Sequence, residues 1–253
     1  MLVKKRNLTL IIILFELLPL HVDMGSNKNK LERFAEMKSF DNVFEPEIEE
    51  AKKGSYKLKG NWRKDYFKND NPIVLELGCG KGEYTVGMAE KFPDKNFIAI
   101  DIKGARMYIG SKHALEQEMN NVAFLRTRIE FIESFFDKDE VDEIWITFPD
   151  PQPIERRVKK RLTSPLFLDR YLKFLKHGGV VHLKTDSAML HEYTLQVIRD
   201  RKYKLIDASA DLYAGKISEY DTDTQEILGI KTHYETLFSE KGFKITYLKF
   251  QMN

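Results

Sequence analysis

The chain has 253 residues, 42% hydrophobic and 32% charged, with a net charge of +2. That is enough apolar material for one substantial core and too much for a disordered chain. A charge so near balance puts any nucleic-acid signal into where the cations sit, not how many there are.

A single cysteine, Cys79, excludes an internal disulfide framework and a cysteine-based zinc site, and the six histidines show no metal-ligand spacing. No metal is therefore expected, and reducing, cytoplasmic conditions are the default.

The first stretch, MLVKKRNLTLIIILFELLPLHVD (1–23), has the basic start and apolar run of a secretory signal. Glu16 interrupts the run, no small-residue cleavage site follows, and the run is short for a bilayer. The expectation is a leader or mis-assigned start outside the fold, with Met24 opening the folded part. A membrane tether is the alternative, and no membrane association is expected. Residues 24–253 read as a single domain with a charged, helical lead-in to about residue 70.

The pattern then becomes regular. NPIVLEL (71–77) is an apolar strand that breaks into GCGKG, and 83–92 follows as a helix. NFIAID (96–101), NVAFLR (121–126) and VDEIWITF (141–148) are further strands, with helix periodicity over 104–119. Ser164-Pro165 is a helix start, an N-cap with proline at the first helical position. The helix it opens, LFLDRYLKFLK, should stop at His177-Gly178-Gly179 before the strand VVHLKT (180–185). Helix 187–200, strand 203–208, helix 233–240 and strand 243–250 complete the series. The polar segment 209–231 is expected to be a mobile loop. Strands alternating with helices imply an α/β fold, a Rossmann-like, mostly parallel sheet with helices on both faces. Ligands in such sheets sit at the carboxyl ends of the strands, near the switch point.

Several chemistry-bearing residues fall there. Glu76-Leu-Gly78-Cys-Gly80-Lys-Gly82 follows the first strand and opens a helix, and its glycines permit a tight turn and close approach to a ligand. The spacing is G-x-G-x-G, not the G-x-G-x-x-G of dinucleotide sites. Glu76 would repel a pyrophosphate and suit the sulfonium and ammonium of S-adenosylmethionine. Asp101, ending the second strand, is placed for ribose hydroxyls in either cofactor class. In ITFPDPQPIERRVKKRL (146–162), Asp150 stands between two prolines, and Arg156, Arg157, Lys159, Lys160 and Arg161 follow within six residues. Prolines on both sides restrict the backbone that carries this carboxylate. Alone, Thr232-His233-Tyr234-Glu235 reads as an N-cap box before a helix.

ELGCGKG, AID, FPDP, KRLTSP, KTD and THYE occur in the order seen in the bacterial tRNA (guanine-N7)-methyltransferase family, which the chain resembles over roughly residues 24–250. The resemblance implies a seven-stranded methyltransferase sheet with its last strand antiparallel. It also implies S-adenosylmethionine as donor and guanine 46 of the tRNA variable loop as substrate. Asp150 takes the family's catalytic position. Glu76, Gly78, Gly80, Gly82, Asp101, Arg128 and Asp150 are expected to bind the cofactor, and Asp186, Thr232, His233, Tyr234 and Glu235 the substrate.

The five cations then read as tRNA phosphate contacts. The chain departs from the family pattern FPDPWPKKR at Gln152 and Ile154, so the contact of the family lysine is missing or comes from Arg156. Arg128 stands where the family often has an acid or amide that meets the adenine amino group; backbone groups of Arg128 or Ile129, or the Glu130 carboxylate, are the substitutes. The chain is expected to act as a monomer or homodimer. Rival readings are a same-fold methyltransferase acting on another RNA, a protein or a small molecule, a dinucleotide-dependent oxidoreductase, and a non-catalytic RNA-binding relative.

Overall fold

The computed structural model describes residues 28–252, and the expectation for residues 1–23 falls outside them. The apolar runs of the sequence form one sheet. Its strands are β1 (Val43–Phe44), β2 (Ile73–Leu77), β3 (Asn96–Asp101), β4 (Val122–Arg126), β5 (Val141–Thr147), β6 (Leu175–Thr185), β7 (Lys204–Ser209) and β8 (Thr246–Gln251). They lie in the order β1-β4-β3-β2-β5-β6-β8-β7. Pairing is parallel from β1 to β6, and β8 runs antiparallel to both β6 and β7.

The helices are α1 (Lys28–Met37), α2 (Ile48–Lys53), α3 (Glu83–Lys91), α4 (Gly104–Glu116), α5 (Pro165–Tyr171), α6 (Ala188–Asp200), α7 (Thr222–Gly229) and α8 (His233–Glu240). Side chains alternate across the strands into two cores. Leu75, Leu77, Ile98, Ile100, Ile144 and Ile146 enter one, and Val74, Phe97, Ala99, Phe124 and Trp145 the other. With both faces covered, the central strands β2, β3 and β4 are almost continuously apolar, as parallel sheets require, whereas the edge strand β7 is mostly exposed.

The sheet has eight strands where seven were expected. The extra one, β1, comes from the lead-in, where Val43 and Phe44 pair with Phe124 and Leu125. The lead-in also supplies Trp62, which is fully buried, stacks on Phe136 and donates its indole N–H to the Phe135 carbonyl at 2.9 Å.

Two further expectations need correction. The helix after Ser164 ends at Tyr171, well short of Gly178. Val141 pairs with Leu175 and Glu143 with Val180, so the ladder to β5 claims Leu175, and His177 to Gly179 bulge from β6. The apolar repeat had suggested a longer helix because Phe174 and Leu175 are buried, but they are buried from the sheet side. Residues 209–231 also carry α7, capped where the Asp221 carboxylate accepts from Thr224 N at 2.9 Å. Leu212 and Leu228 from this segment are fully buried, and Tyr84 donates its hydroxyl to the Ile227 carbonyl at 2.8 Å.

Close approach of α4 to the glycine loop depends on Gly110. A Cβ there would stand 2.4 Å from the Lys81 carbonyl oxygen and 3.2 Å from Gly82 Cα. Both neighbours are backbone and cannot give way cheaply. Gly110→Ala should therefore lower stability by about 1–3 kcal/mol, read as a lower urea midpoint with an unchanged slope.

Candidate active site

The strand order reverses between β2 and β5, and the chains leaving their carboxyl ends diverge. A cavity of about 570 Å³ opens there, a size usual for small-molecule sites. Its lining includes Gly78, Gly80, Asp101, Thr147, Asp150 and Asp186, with Thr232 and Tyr234 from the start of α8.

The glycine loop forms one wall. Gly78 and Gly80 have φ of +79° and +58°, and a side chain on either would project into open space. Asp101 fastens the loop: Oδ2 accepts from Gly80 N at 3.0 Å and Oδ1 from Lys103 N at 2.8 Å. Gly82 does not line the cavity. It caps α3 at φ +78°, and a Cβ there would strike the Phe124 ring at 2.6 Å, so its glycine serves packing.

Glu76 is also not a wall of the cavity. Its carboxylate is buried between α3 and β5, accepting from Thr85 N at 2.9 Å, from the Thr85 hydroxyl, and from the Thr147 hydroxyl at 2.5 Å. An acid facing a ligand and an acid clasping two elements look alike in sequence, and the threonines that distinguish them lie 9 and 71 positions away. Burial pushes the Glu76 carboxyl up to about 7, against the pull of the hydrogen bonds from Thr147 and Thr85.

The opposite wall is the Phe148–Gln152 turn. Phe148 and Gln152 adopt φ of +47° and +46°, left-handed values rare for such residues, on either side of the two prolines. Asp150 Oδ1 accepts from Gln152 N at 3.0 Å, and Asp150 is exposed on the cavity.

Arg161 braces this turn from behind. Only 6% exposed, it donates Nε to the Pro151 carbonyl at 3.2 Å and Nη2 to the Gln152 carbonyl at 3.2 Å, with its guanidinium carbon 4.3 Å from the Tyr193 ring centre. A buried guanidinium committed to carbonyls does not contact phosphate, which corrects the expectation for this residue. Arg156, Arg157, Lys159 and Lys160 differ. They lie on an exposed 3₁₀ turn, Glu155–Lys160, and none forms an ion pair within 4.0 Å among the described residues. Lys160 reaches the cavity itself.

The remaining expected residues divide. Asp186 is half-buried on the cavity, and burial raises its carboxyl above the ordinary range. Thr232 caps α8, its hydroxyl accepting from Glu235 N at 3.2 Å, and Tyr234 faces the cavity with the Arg106 guanidinium 5.5 Å from its ring centre. His233 turns to an adjoining cleft of about 510 Å³ between α3, α4 and α8, and its main-chain N–H donates to Glu83 at 2.9 Å. Arg128 lines a shallower cleft of about 380 Å³ that continues from Asp101 past Ile129 and Glu130.

Glu235 is fully buried behind the cavity wall, where it pairs with Lys184 at 2.8 Å and accepts the Tyr213 hydroxyl. It is not among the residues that line the cavity. Burial pushes the Lys184 ammonium down from its ordinary value, with Glu235 opposing. Sequence reasoning missed Lys81, Lys103 and Arg106, which line the cavity from the glycine loop and the start of α4.

A parallel sheet with an antiparallel penultimate strand and a cavity behind a glycine loop defines a methyltransferase fold. A family model described as "Putative methyltransferase" matches residues 70–248. The fold is shared with the 16S rRNA methyltransferase KamB, at a TM-score of 0.56 and 16% identity over 75% of this chain and 92% of that one. The tRNA (guanine-N(7)-)-methyltransferase of Christiangramia forsetii is 52% identical over 90% of this chain and 100% of its own length. The enzyme of the same name from Bacteroides fragilis is 51% identical over 88% of this chain and 85% of its own. The chain belongs to the tRNA (guanine-N7)-methyltransferase family.

The clasp on Glu76 makes a pH prediction. Its folded value, about 7, lies above the ordinary 4.5, so the folded form holds the proton more tightly than the unfolded chain between them. The resulting stabilisation is complete below the lower value and fades as pH rises through the upper one. Glu76→Gln, which cannot titrate, should gain on the parent by about 2 kcal/mol between about pH 5 and about pH 8 in urea denaturation. The same pH dependence in both proteins would show that this carboxylate titrates normally.

Proposed function

We propose that this chain transfers a methyl group from S-adenosylmethionine to N7 of guanine 46 in the variable loop of tRNA, giving 7-methylguanosine. The observation that carries the reading is the convergence of Asp150, Asp186, Thr232 and Tyr234 on one cavity with Gly78, Gly80 and Asp101. The relatives named above support the substrate.

The residues present fit the donor. Open space in front of Gly78 and Gly80 admits a ligand against the backbone, and each Asp101 oxygen keeps a lone pair for a ribose hydroxyl after its loop bond. Ile129 lines both the cavity and the cleft beyond it, so main-chain groups of Arg128 and Ile129 are suited to the adenine edge. Glu76 acts at one remove, by holding the loop. When bound, the donor supplies an electrophilic methyl group.

The protein's own part is orientation. Guanine N7 carries a lone pair and no proton, so attack needs no base at that atom, and the purine becomes cationic as the bond forms. Asp150, fixed by its turn, accepts hydrogen bonds from the guanine edge and stabilises the developing charge. Asp186, Thr232 and Tyr234 complete the holder for the base. Arg156, Arg157, Lys159 and Lys160 take the phosphates beside it, and Arg156 stands in for the lysine absent at Ile154.

Asp150→Asn should lower turnover by ~10²–10³ in methyl transfer to unmodified tRNA, scored by cleavage at 7-methylguanosine. A variant close to the parent's rate would remove Asp150 from the reaction, and a parent inert on tRNA would sink the proposal. Arg157→Ala and Lys160→Ala should each flatten the salt dependence of tRNA binding by about 0.7–0.9 in log–log slope, with donor affinity unchanged in Arg157→Ala, whose side chain lies off the cavity. Parental slopes would strike them from the RNA contacts.

A further inference from the structure

Behind the wall that carries Thr232 and Tyr234 lies a polar cluster with no part in the steps above. Lys184, two residues before Asp186 in chain order, is completely buried. Its ammonium donates to the carbonyls of Leu228 at 2.7 Å and Ile230 at 3.1 Å, and to the Glu235 carboxylate at 2.8 Å. Three donors meet three acceptors, which exhausts the group. Tyr84 and Tyr213 stand with ring centres 5.3 and 6.0 Å from the nitrogen, and their hydroxyls go to the Ile227 carbonyl and to Glu235.

Every acceptor of Lys184 lies between residues 228 and 235, from the end of α7 to the first turn of α8. That stretch also carries Thr232 and Tyr234 to the cavity. Stability alone is a poor account of the arrangement. Desolvating two charges is costly, and well-packed apolar residues in place of such a pair are often neutral or stabilising. Directionality is a better account. An ammonium with three fixed acceptors specifies one path for the chain around it, whereas an apolar contact tolerates several.

We infer that Lys184 is a positioning residue: its ammonium staples residues 228–235 to the end of β6, so that Thr232 and Tyr234 stand with Asp186 where the target base is held. The inference rests on the methyl-transfer reading, and it makes the base holder conditional on a buried group that touches no substrate. Residues 209–231, read from their polarity as a loop, would thereby be tied to the sheet from beneath.

The test uses Lys184→Met/Glu235→Leu, which removes both charges and leaves neither unpaired. Lys184→Met alone, which removes the ammonium and leaves Glu235 its bond from the Tyr213 hydroxyl, decides the matter if the double variant does not fold. Donor affinity and the tRNA KM should stay within about threefold of the parent, because the glycine loop and the phosphate contacts are untouched, while kcat falls at least about tenfold. Deuterium uptake across residues 222–240 should rise. A folded variant with parental kcat overturns the inference, as does a lower kcat with unchanged exchange in that segment. A parent that methylates no tRNA fails the function reading instead, and unchanged exchange would then still overturn the staple.

Discussion

One carboxylate holds the site open in a defined shape. Glu76 is the penultimate residue of β2, at the switch point where the elements following β2 and β5 part company. Its hydrogen bonds join the first turns of α3, through Thr85, to the last residue of β5, through Thr147. This tie joins the two walls of the cavity above the sheet. The glycine loop hangs from one side of the clasp and the Asp150 turn from the other. Burial makes the clasp costly in its ionised form, and three hydrogen bonds from two threonines offset much of that cost.

Charge is layered around this frame. Asp101, Asp150 and Asp186 lie on the cavity, while Lys81, Lys103, Arg106 and Lys160 also reach its lining and the exposed 3₁₀ turn extends the cations outward. In the proposed reaction the layering separates two tasks. Acids beside the reacting atoms favour a donor that is positive and a base that becomes so. Cations toward solvent draw in phosphates and act over a Debye length of about 8 Å at physiological salt. A net charge of +2 conceals the cations of the 3₁₀ turn, because acids elsewhere in the chain balance them.

The strands along the chain, the glycine loop and the proline-flanked acid were legible because each is written locally, in periodicity, spacing and backbone restriction. What was misread depends on partners far along the chain. Glu76 looked like a ligand for a cation until Thr147 closed on it, and Arg161 looked like one cation of a run until it turned in under Gln152. Glu235, expected at the substrate from the family resemblance, is buried against Lys184, and Gly82, expected at the cofactor, packs against Phe124. Polarity misled in 209–231, where a few apolar residues, Leu212 and Leu228 among them, are enough to bind the segment to the core. The two-residue β1 carries no periodicity to detect.

The Asp150 turn also accounts for its own departure from the family pattern. Gln152 sits at φ +46°, donates its main-chain N–H to Asp150 and accepts Arg161 on its main-chain carbonyl. Both bonds belong to the backbone, so the side chain at 152 is not needed to build the turn, and glutamine in place of tryptophan leaves it standing. Backbone held at such angles costs on the order of 1–3 kcal/mol per residue and persists only where its surroundings impose it. Here two prolines and a buried guanidinium impose it. A general base at this position would find no proton to take at guanine N7. A carboxylate whose work is to hold a purine edge in line with a methyl group needs a fixed direction, and direction is what the strained turn supplies.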